Sequence, residues 1–408
     1  MLSLRAILVL LKLPFHILLT ALKTWFFGGK YRKYANHILH NIRLLICHTV
    51  LRLPTKDCSY IAISNATLIK RIIGRKDKFI TSTLPGYGER YDKNSYWLVK
   101  HETIAKTDPI LIYLHGGGYF IQTSPSQLEG LLSIYKLTNE NVQSKLNILF
   151  LDYDLASQGF TLPHQLYQFH ETYTRLVNEG YSNFIVMGDS AGAHLAITHL
   201  QLLKQKKFSV FPKKAILISP WVKLLPDVTQ FTPGNSYFDN HQKDIIEYLG
   251  FSNRGLIKNI VGNQDLNNLL ISPGNKVPHD RRDWLDIPTL NDPGYDLFIL
   301  AGEDEVFRDD ILHWCDYALG IPLYNQYKYG QSNNKFDKAQ HEYIRNDKTK
   351  NHVRLFVEPW GVHDAMLLLE NEVINDFKQN KNLQVKDIDQ EMYFGISHVC
   401  KFLNETIE

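Results

Sequence analysis

Cysteine is scarce in this 408-residue sequence, and the four residues present lie far apart. Cys47, Cys58, Cys315 and Cys400 match no zinc-binding spacing and fall short of a disulfide framework, so we expect ordinary buried thiols. The net charge of +3 is small beside 45 basic and 42 acidic side chains. No cluster of Lys and Arg with interleaved aromatic residues stands out, which argues against a nucleic-acid partner. Internal repeats and low-complexity tracts are also lacking.

Long apolar runs are equally rare, and the one that stands out covers residues 2–27. A spanning helix needs roughly 20 largely uncharged apolar residues, which this run meets only marginally. No small-residue cleavage site marks it as a signal peptide. At 100° per residue, Arg5, Lys12, His16 and Lys23 fall within about 40° of one another. That narrow polar stripe suits a helix lying in the membrane interface, although snorkelling of the lysines would also permit a span.

Pro14 predicts a kink or a break near the middle of this helix. An aromatic and basic border typical of a membrane interface follows the apolar run, and it consists of Trp25, Phe26, Phe27, Lys30, Arg32 and Lys33. We interpret residues 1–27 as a membrane anchor or interfacial helix, with a buried amino-terminal helix as the alternative. Orientation stays open because basic residues flank both ends.

From about residue 96 onward, short apolar runs alternate with helical stretches. The predicted strands cover residues 96–100, 110–114, 146–151, 184–187, 215–219, 297–301 and 353–358. Continuous apolar runs are typical of parallel strands buried on both faces. Strand alternating with helix predicts a doubly wound, mostly parallel α/β domain over residues 96–408. Within it, we interpret residues 221–294 as part of a lid and the polar residues 325–351 as a solvated surface insertion.

Two glycine-containing motifs follow predicted strands. Residues 188–192 read Gly-Asp-Ser-Ala-Gly and open an alanine-rich helix, which is the context of a nucleophile elbow that presents the Ser190 hydroxyl. Residues 115–118 read His-Gly-Gly-Gly. Three consecutive glycines let backbone N–H groups approach a bound oxyanion without interference from a Cβ.

An acid and an imidazole follow two later strands. Asp304 and Glu305 lie just beyond the run 297–301, and His363 follows the run 353–358. A carboxylate at the carboxyl end of a strand can orient an imidazole that acts as general base. The chain order of serine, acid and histidine is that of α/β-hydrolases.

These motifs together resemble the hormone-sensitive-lipase-like branch of the α/β-hydrolases, which includes arylacetamide deacetylase. The resemblance rests on residues 115–119, 188–192, 305–310 (Glu-Val-Phe-Arg-Asp-Asp) and 361–363. The 305–310 run and Ser-Pro-Trp at 219–221 are most similar to fungal steryl acetyl hydrolases, and the likeness extends over roughly residues 96–403. It implies an α/β-hydrolase fold with a cap built from inserted segments and from the amino-terminal region, here residues 28–95.

The resemblance also implies roles for individual residues. Ser190 would be the nucleophile and His363 the general base, with oxyanion donors at the backbone N–H groups of Gly117, Gly118 and Ala191.

The sequence departs from the family pattern at the carboxylate that would orient His363. This branch usually has an aspartate where the present sequence has Glu305, and Asp304 next to it is a competitor. The Val-Phe-Arg-Asp run that follows favours Glu305 by alignment. Two other positions depart from the family, since Ala193 replaces a glycine after the elbow and Ser157 replaces the expected proline after Ala156.

The sequence therefore predicts a serine carboxylic-ester hydrolase that needs no metal or organic cofactor. By resemblance, its substrate would be a lipophilic ester such as an acetylated sterol, and it would contact membrane lipid, in the endoplasmic reticulum. An amidase or formamidase of the same fold is one alternative. A catalytically inactive hydrolase-fold binding protein is another, disfavoured because Ser190 and His363 are both present.

Overall fold

A single mixed sheet organises the computed structural model, which describes residues 1–247, 254–322, 329 and 335–407. The strands run in the spatial order β1-β2-β4-β3-β5-β6-β7-β9-β8. Their bounds are β1 Arg90–Asp92, β2 Ser95–Val99, β3 Ile110–Leu114, β4 Asn147–Leu151, β5 Phe184–Asp189, β6 Lys214–Ile218, β7 Asp296–Gly302, β8 Glu342–Arg345 and β9 His352–Glu358.

The six strands β4, β3, β5, β6, β7 and β9 pair in parallel, and β1, β2 and β8 add antiparallel edges. Successive residues of β3 serve two cores. Ile110, Ile112 and Leu114 enter one hydrophobic cluster, whereas Leu111 and Tyr113 enter the other. A strand buried on both faces needs an unbroken apolar run, which explains why the sequence predicts these strands. The predicted α/β fold is confirmed.

The apolar pattern of the sequence did not predict two edge strands, β1 and β8. β8 lies within the polar segment 325–351 and pairs with β9, with Glu342 opposite Phe356. Residues 325–328 and 330–334 of that segment lie outside the described residues. An edge strand can be polar because one side of it faces solvent, so its sequence carries little apolar signal.

Nine α-helices of seven or more residues lie among the described residues. Their bounds are α1 Leu4–Phe27, α2 Ile38–Leu51, α3 Thr55–Ile61, α4 Pro125–Leu137, α5 His164–Asn178, α6 Ala191–Gln205, α7 Arg254–Val261, α8 Arg308–Leu319 and α9 Phe394–Thr406. Shorter α-helical turns are Asn65–Thr67, Gly74–Lys76, Lys78–Thr81, Glu140–Gln143, Ser236–Asp239, Pro288–Asn291, Lys338–His341 and Ala365–Leu368, and Leu68–Ile73 is a π-helical turn. Segments of 3₁₀-helix are Arg32–Tyr34, Ala156–Gln158, Val228–Phe231, Pro273–Asn275, Arg281–Asp283, Glu370–Lys378 and Val385–Asp387.

The first helix, α1, is long and apolar enough to cross a membrane by length and composition. It runs through Pro14 without interruption, so the predicted break does not occur. Ala6 and Thr24 are fully buried, whereas most of the other α1 side chains are exposed. α1 packs along α2, which follows it in the chain.

The basic residues after α1 contact the catalytic domain. Arg32 makes a two-pronged ion pair with the buried Asp304, with Nε–Oδ2 at 2.5 Å and Nη2–Oδ1 at 2.6 Å. Lys33 pairs with Glu358, and the Lys30 ammonium donates to the Asp244 carbonyl at 3.2 Å. The charges of Arg32 and Lys33 are thus balanced by carboxylates of the catalytic domain, and the membrane border expected from the residues after the apolar run stays a prediction.

Candidate active site

The candidate site forms where loops leave the carboxyl ends of neighbouring parallel strands, as expected for an open α/β sheet. Each loop supplies one component. The glycine run follows β3, Ser190 follows β5, Ser219 follows β6, Glu305 follows β7 and His363 follows β9. Although these residues are far apart in sequence, the topology brings their strand ends together.

Ser190 occupies a sharp turn between β5 and α6, with φ of 51° and ψ of −114°. The turn requires glycine on both sides. A Cβ on Gly188 would lie 2.4 Å from the Gly192 carbonyl carbon, and a Cβ on Gly192 would lie 1.9 Å from the Leu114 oxygen. Close approach of backbone to backbone therefore accounts for the Gly-x-Ser-x-Gly pattern. The turn holds the Ser190 hydroxyl at the amino-terminal end of α6, where the helix dipole favours negative charge.

Ser190, His363 and Glu305 form a continuous hydrogen-bonded row. Nε2 of His363 lies 2.8 Å from the Ser190 oxygen, and Nδ1 lies 2.8 Å from Oε1 of Glu305. All three residues are buried, Ser190 being 6% exposed. The geometry is that of a nucleophile, a base and an orienting acid.

The competing acid, Asp304, points elsewhere. Its carboxylate is bound by Arg32, as described above, whereas the second oxygen of Glu305 accepts from the Ser219 hydroxyl at 3.0 Å and the Gly302 N–H at 2.8 Å. Those bonds fix the plane of the Glu305 carboxylate. The structure therefore brings Glu305, rather than Asp304, to the imidazole.

A second buried carboxylate touches the same imidazole. Oδ2 of Asp364 lies 3.2 Å from Nε2 of His363. Burial lowers the pKa of His363, but the charges of Asp364 and Glu305 outweigh it and raise that pKa well above 6.5. Burial raises the pKa of Asp364 in turn. Protonation of the imidazole and of this carboxylate is thus linked, and no motif in the sequence predicts a role for Asp364.

The glycine run lies beside Ser190 and is held by aromatic side chains. Gly117 and Gly118 have positive φ angles of 110° and 59°. Within the described part of the chain, their backbone N–H groups donate no hydrogen bond. Tyr119 bonds Nδ1 of His194 at 2.6 Å, and the Tyr153 hydroxyl donates to the His115 carbonyl at 2.6 Å. His194 is accordingly a buried helix residue that supports the loop.

Asp189 ties the glycine run to the serine turn. Its carboxylate accepts from the Tyr113 hydroxyl at 2.6 Å, the Gly116 N–H at 2.9 Å and the Gln127 amide at 2.7 Å. Burial, followed by the charge of Asp364, raises the pKa of Asp189 to about 7. Ala191 follows Ser190 as the first residue of α6, so its N–H group lies at the end of that helix.

Asp244 connects the acid loop, which follows β7 and carries Glu305, to the histidine loop, which follows β9 and carries His363. Its Oδ1 accepts from the His363 N–H at 2.9 Å, and its Oδ2 accepts from the Val306 N–H at 2.8 Å. Burial raises the pKa of Asp244 to about 6. Sequence reasoning missed this residue because it lies in the irregular segment 221–294, and no local motif distinguishes it there.

A largely apolar cavity of about 190 Å³ opens beside Ser190 and His363. Besides the glycine run and the loop of His363, three parts of the chain contribute apolar side chains to its lining. α2 contributes Ile46 and Val50, the segment 221–294 contributes Trp221, Ile245 and Ile246, and the acid loop contributes Phe307. The amino-terminal region and the segment interpreted as a lid therefore cover the same site.

Comparison with known proteins agrees with this arrangement. A family model described as steryl acetyl hydrolase matches residues 33–353. A Schizosaccharomyces pombe protein provisionally named a steryl acetyl hydrolase is 29% identical over 426 aligned positions, covering 100% of both chains. Steryl acetyl hydrolase 1 of Saccharomyces cerevisiae is 33% identical over 119 positions, which are 28% of this chain and 27% of that one.

Solved structures give the same fold. An esterase of the bacterial hormone-sensitive lipase family aligns with a TM-score of 0.52 at 17% identity, over 90% of this chain and 98% of its own. An esterase/lipase from an uncultured bacterium aligns with a TM-score of 0.50 at 18% identity, over 89% and 98%. The sheet and its carboxyl-edge loops define an α/β-hydrolase.

The particular family follows from the sequence match. The chain belongs to the steryl acetyl hydrolase family, which confirms the resemblance drawn from the motifs. It is a carboxylic-ester hydrolase.

We predict that Glu305→Gln reduces kcat by about 10⁴, because an amide cannot stabilise the imidazolium or hold the reactive tautomer. Asp304→Asn is the matched control. It should reduce the free energy of unfolding, because Arg32 loses its charged partner, while leaving kcat within about tenfold. Hydrolysis of a soluble p-nitrophenyl ester and thermal denaturation measure the two effects. A larger loss of kcat in Asp304→Asn would transfer the role of the acid to that residue.

We predict that Asp364→Asn shifts the acid limb of the pH dependence of kcat/KM to lower pH. His363 must be neutral to accept a proton, and removal of a neighbouring negative charge lowers its pKa. Asn tolerates the left-handed backbone at this position, where φ is 54°. Asp310→Asn is the control, since Asp310 is buried but bonds Tyr237 and Gln230 instead. If the acid limb of the kcat/KM profile does not move in Asp364→Asn, Asp364 carries no charge in the pH range in which His363 titrates.

We predict that Asp244→Asn reduces kcat by about 10–100-fold, with KM for a soluble ester changed less than threefold. In Asn, one acceptor oxygen is replaced by an NH₂ group that faces a backbone N–H, so the loops of Glu305 and His363 separate. Small displacements of catalytic groups cost about 10–100-fold in rate. Asp239→Asn is the control, because Asp239 lies in the same segment and its carboxylate accepts from the exposed Gly234 N–H rather than from either loop. Equal losses in both variants would indicate a general effect on the segment.

Proposed function

We propose that this protein removes the acetyl group from acetylated sterols or closely similar lipophilic acetates. In this proposal the Ser190 hydroxyl attacks the ester carbonyl while His363 accepts its proton, and Glu305 holds the imidazole. The alcohol leaves with that proton, an acetyl-serine ester remains, and water activated by His363 releases acetate. The observation that carries the proposal is the 2.8 Å hydrogen bonds on both sides of the His363 ring.

Stabilisation of the tetrahedral intermediate is assigned to the glycine run. We propose that the N–H groups of Gly117, Gly118 and Ala191 bind the developing oxyanion. Support comes from the positive φ angles of the two glycines, from their position on the cavity wall and from the helix end at Ala191. Donors fixed before the reaction are usually the largest single contribution to catalysis of acyl transfer.

The size and lining of the cavity favour a short acyl group on an apolar alcohol. Its volume of about 190 Å³ lies below the roughly 300–1,000 Å³ of typical ligand sites. An acetyl group fits beside Ser190, whereas a bulky alcohol must extend between α2 and the segment 221–294. Apolar side chains line that route, including Ile46, Ile245 and Ile246. The names of the two fungal relatives agree with such a substrate.

We also propose that the protein acts at a membrane, that of the endoplasmic reticulum. Support comes from the exposed apolar surface of α1, where Leu11 is 71% and Phe15 is 65% exposed. Soluble monomers rarely expose apolar patches of that extent. A lipophilic ester would also be most concentrated in a bilayer.

We predict that Ser190→Ala abolishes release of acetate from a steryl acetate in vesicles, with a loss in kcat of about 10⁶ as in a measured precedent for a triad serine. It should also abolish labelling by a fluorophosphonate. Ser59→Ala, which alters a partly exposed serine on α3, should keep both activities. Hydrolysis should fall as the acyl chain lengthens from acetyl to octanoyl.

Three results would count against the proposal. Labelling that persists in Ser190→Ala would remove this serine from the mechanism. Equal rates on acetyl and octanoyl esters would contradict the proposed acyl pocket. Turnover of acetanilides but not of acetate esters would identify an amidase.

A further inference from the structure

Two aromatic rings lie next to Ser190 and His363. The Trp221 N–H donates to the Ser190 carbonyl at 3.2 Å, so Trp221 is bonded to the turn that presents the hydroxyl. The Phe307 ring meets the His363 imidazole edge to face, with 5.0 Å between the ring centres and 86° between the planes. Trp221 and Phe307 follow β6 and β7, and both line the cavity. We call these two side chains the aromatic wall.

The aromatic wall is closely packed. The rings of Trp221 and Phe307 stack with their planes 5° apart and their centres 5.9 Å apart, and both residues are 1% exposed. Behind them, the fully buried Tyr237 packs on Phe307 at 6.1 Å, and its hydroxyl donates to Asp310 at 3.0 Å. Because protein interiors pack about as densely as organic crystals, an extra methylene group enters this stack only if a ring moves. The cavity is therefore closed on this side.

The aliphatic side of the cavity is held differently. Ile46 of α2 lines the cavity and is also 37% exposed, so this part of the wall reaches the protein surface. One contact that joins α2 to the segment 221–294 is the ion pair between Arg52 and Glu247 at 2.8 Å. The Arg52 side chain is largely exposed, and exposed ion pairs contribute little to stability. This side therefore opens at less cost than the aromatic wall.

This asymmetry assigns a direction to the bound ester. A four-ring alcohol does not fit within a cavity of about 190 Å³, so it must extend toward the side that opens at α2. The acyl group on Ser190 is then directed to the closed side. There it meets the aromatic wall.

We propose that Trp221 and Phe307 determine the length of the acyl chain that the enzyme accepts and restrict it to acetyl. This inference rests on the proposed deacetylation and names the side chains that set its acyl specificity. The methyl group of an acetyl ester contacts the two rings, whereas the further carbon atoms of a longer chain overlap with them. Neither ring exchanges a proton with the substrate, so both residues act on specificity and not on the acid–base chemistry.

An acyl-length series tests the effect of opening the aromatic wall. The full chain and its Trp221→Leu and Phe307→Leu variants are compared on p-nitrophenyl acetate, butyrate and octanoate. One methylene group in an apolar pocket changes kcat/KM by about tenfold or more. The ratio of kcat/KM for octanoate to kcat/KM for acetate should therefore rise by at least about tenfold in both variants. The rise should come chiefly from faster hydrolysis of octanoate.

Two controls separate acyl specificity from general effects. Trp314→Leu makes the same change in a fully buried ring that packs on Trp284 at 5.7 Å. It should lower the melting temperature while leaving the octanoate to acetate ratio within about twofold. Ile46→Ala changes the side assigned to the alcohol. It should raise the KM for a steryl acetate, because contact with the alcohol is lost, and leave the acyl ratio unchanged.

Folding of each variant is checked independently of turnover. Thermal denaturation and the stoichiometry of fluorophosphonate labelling count the intact sites in each preparation. If Trp221→Leu does not fold, Trp221→Phe retains one ring and frees the space of the other. In that variant the ratio of butyrate to acetate hydrolysis should rise.

Two results would overturn the inference. The first is an octanoate to acetate ratio that stays within about twofold of the unsubstituted chain in the folded Trp221 and Phe307 variants. The second is a rise of that ratio in Ile46→Ala without a rise in the Trp221 variant, which would place the acyl group beside α2. Equal rates of the unsubstituted chain on acetate and octanoate would instead refute the proposed deacetylation, so the two failures are distinguishable.

Discussion

At the turn after β5, backbone meets backbone so closely that no side chain fits at Gly188 or Gly192. That contact fixes where Ser190 lies relative to β3 and α6, and the rest of the site is arranged around it. The Asp189 carboxylate in the same turn binds the glycine run through the Gly116 N–H. The proposed nucleophile and the proposed oxyanion donors are therefore parts of one hydrogen-bonded unit that is in place without substrate.

The imidazole lies in an unusually acidic environment. Glu305 and Asp364 both contact His363, and Asp244 accepts a hydrogen bond from its backbone. Buried carboxylates are costly unless hydrogen-bonded or protonated, which explains the raised pKa values of Asp364 and Asp244. Through His363, these contacts connect the loop after β9 to the loop after β7 and to the segment 221–294. The proposed base, His363, is therefore positioned by a network of carboxylates rather than by Glu305 alone.

The amino-terminal region links this site to the proposed membrane surface. Arg32 binds Asp304 next to Glu305, Lys33 pairs with Glu358 at the end of β9, and α2 closes one wall of the cavity. A segment that would serve only as a tether needs none of these contacts. We infer that the segment from Arg32 through α2 is part of the catalytic domain.

The sequence alone determined the parallel strands, the serine turn and the histidine, because each depends on a local pattern. Buried strands need unbroken apolar runs, and the turn at Ser190 needs glycine on both sides. Tertiary structure alone decided between Glu305 and Asp304, which are adjacent and chemically alike, since only the fold shows that Arg32 binds one of them. It likewise decided the contacts of Asp244 and the orientation of Lys30, Arg32 and Lys33. Those features depend on contacts between segments up to 325 residues apart in the chain, and no pattern of neighbouring residues records such contacts.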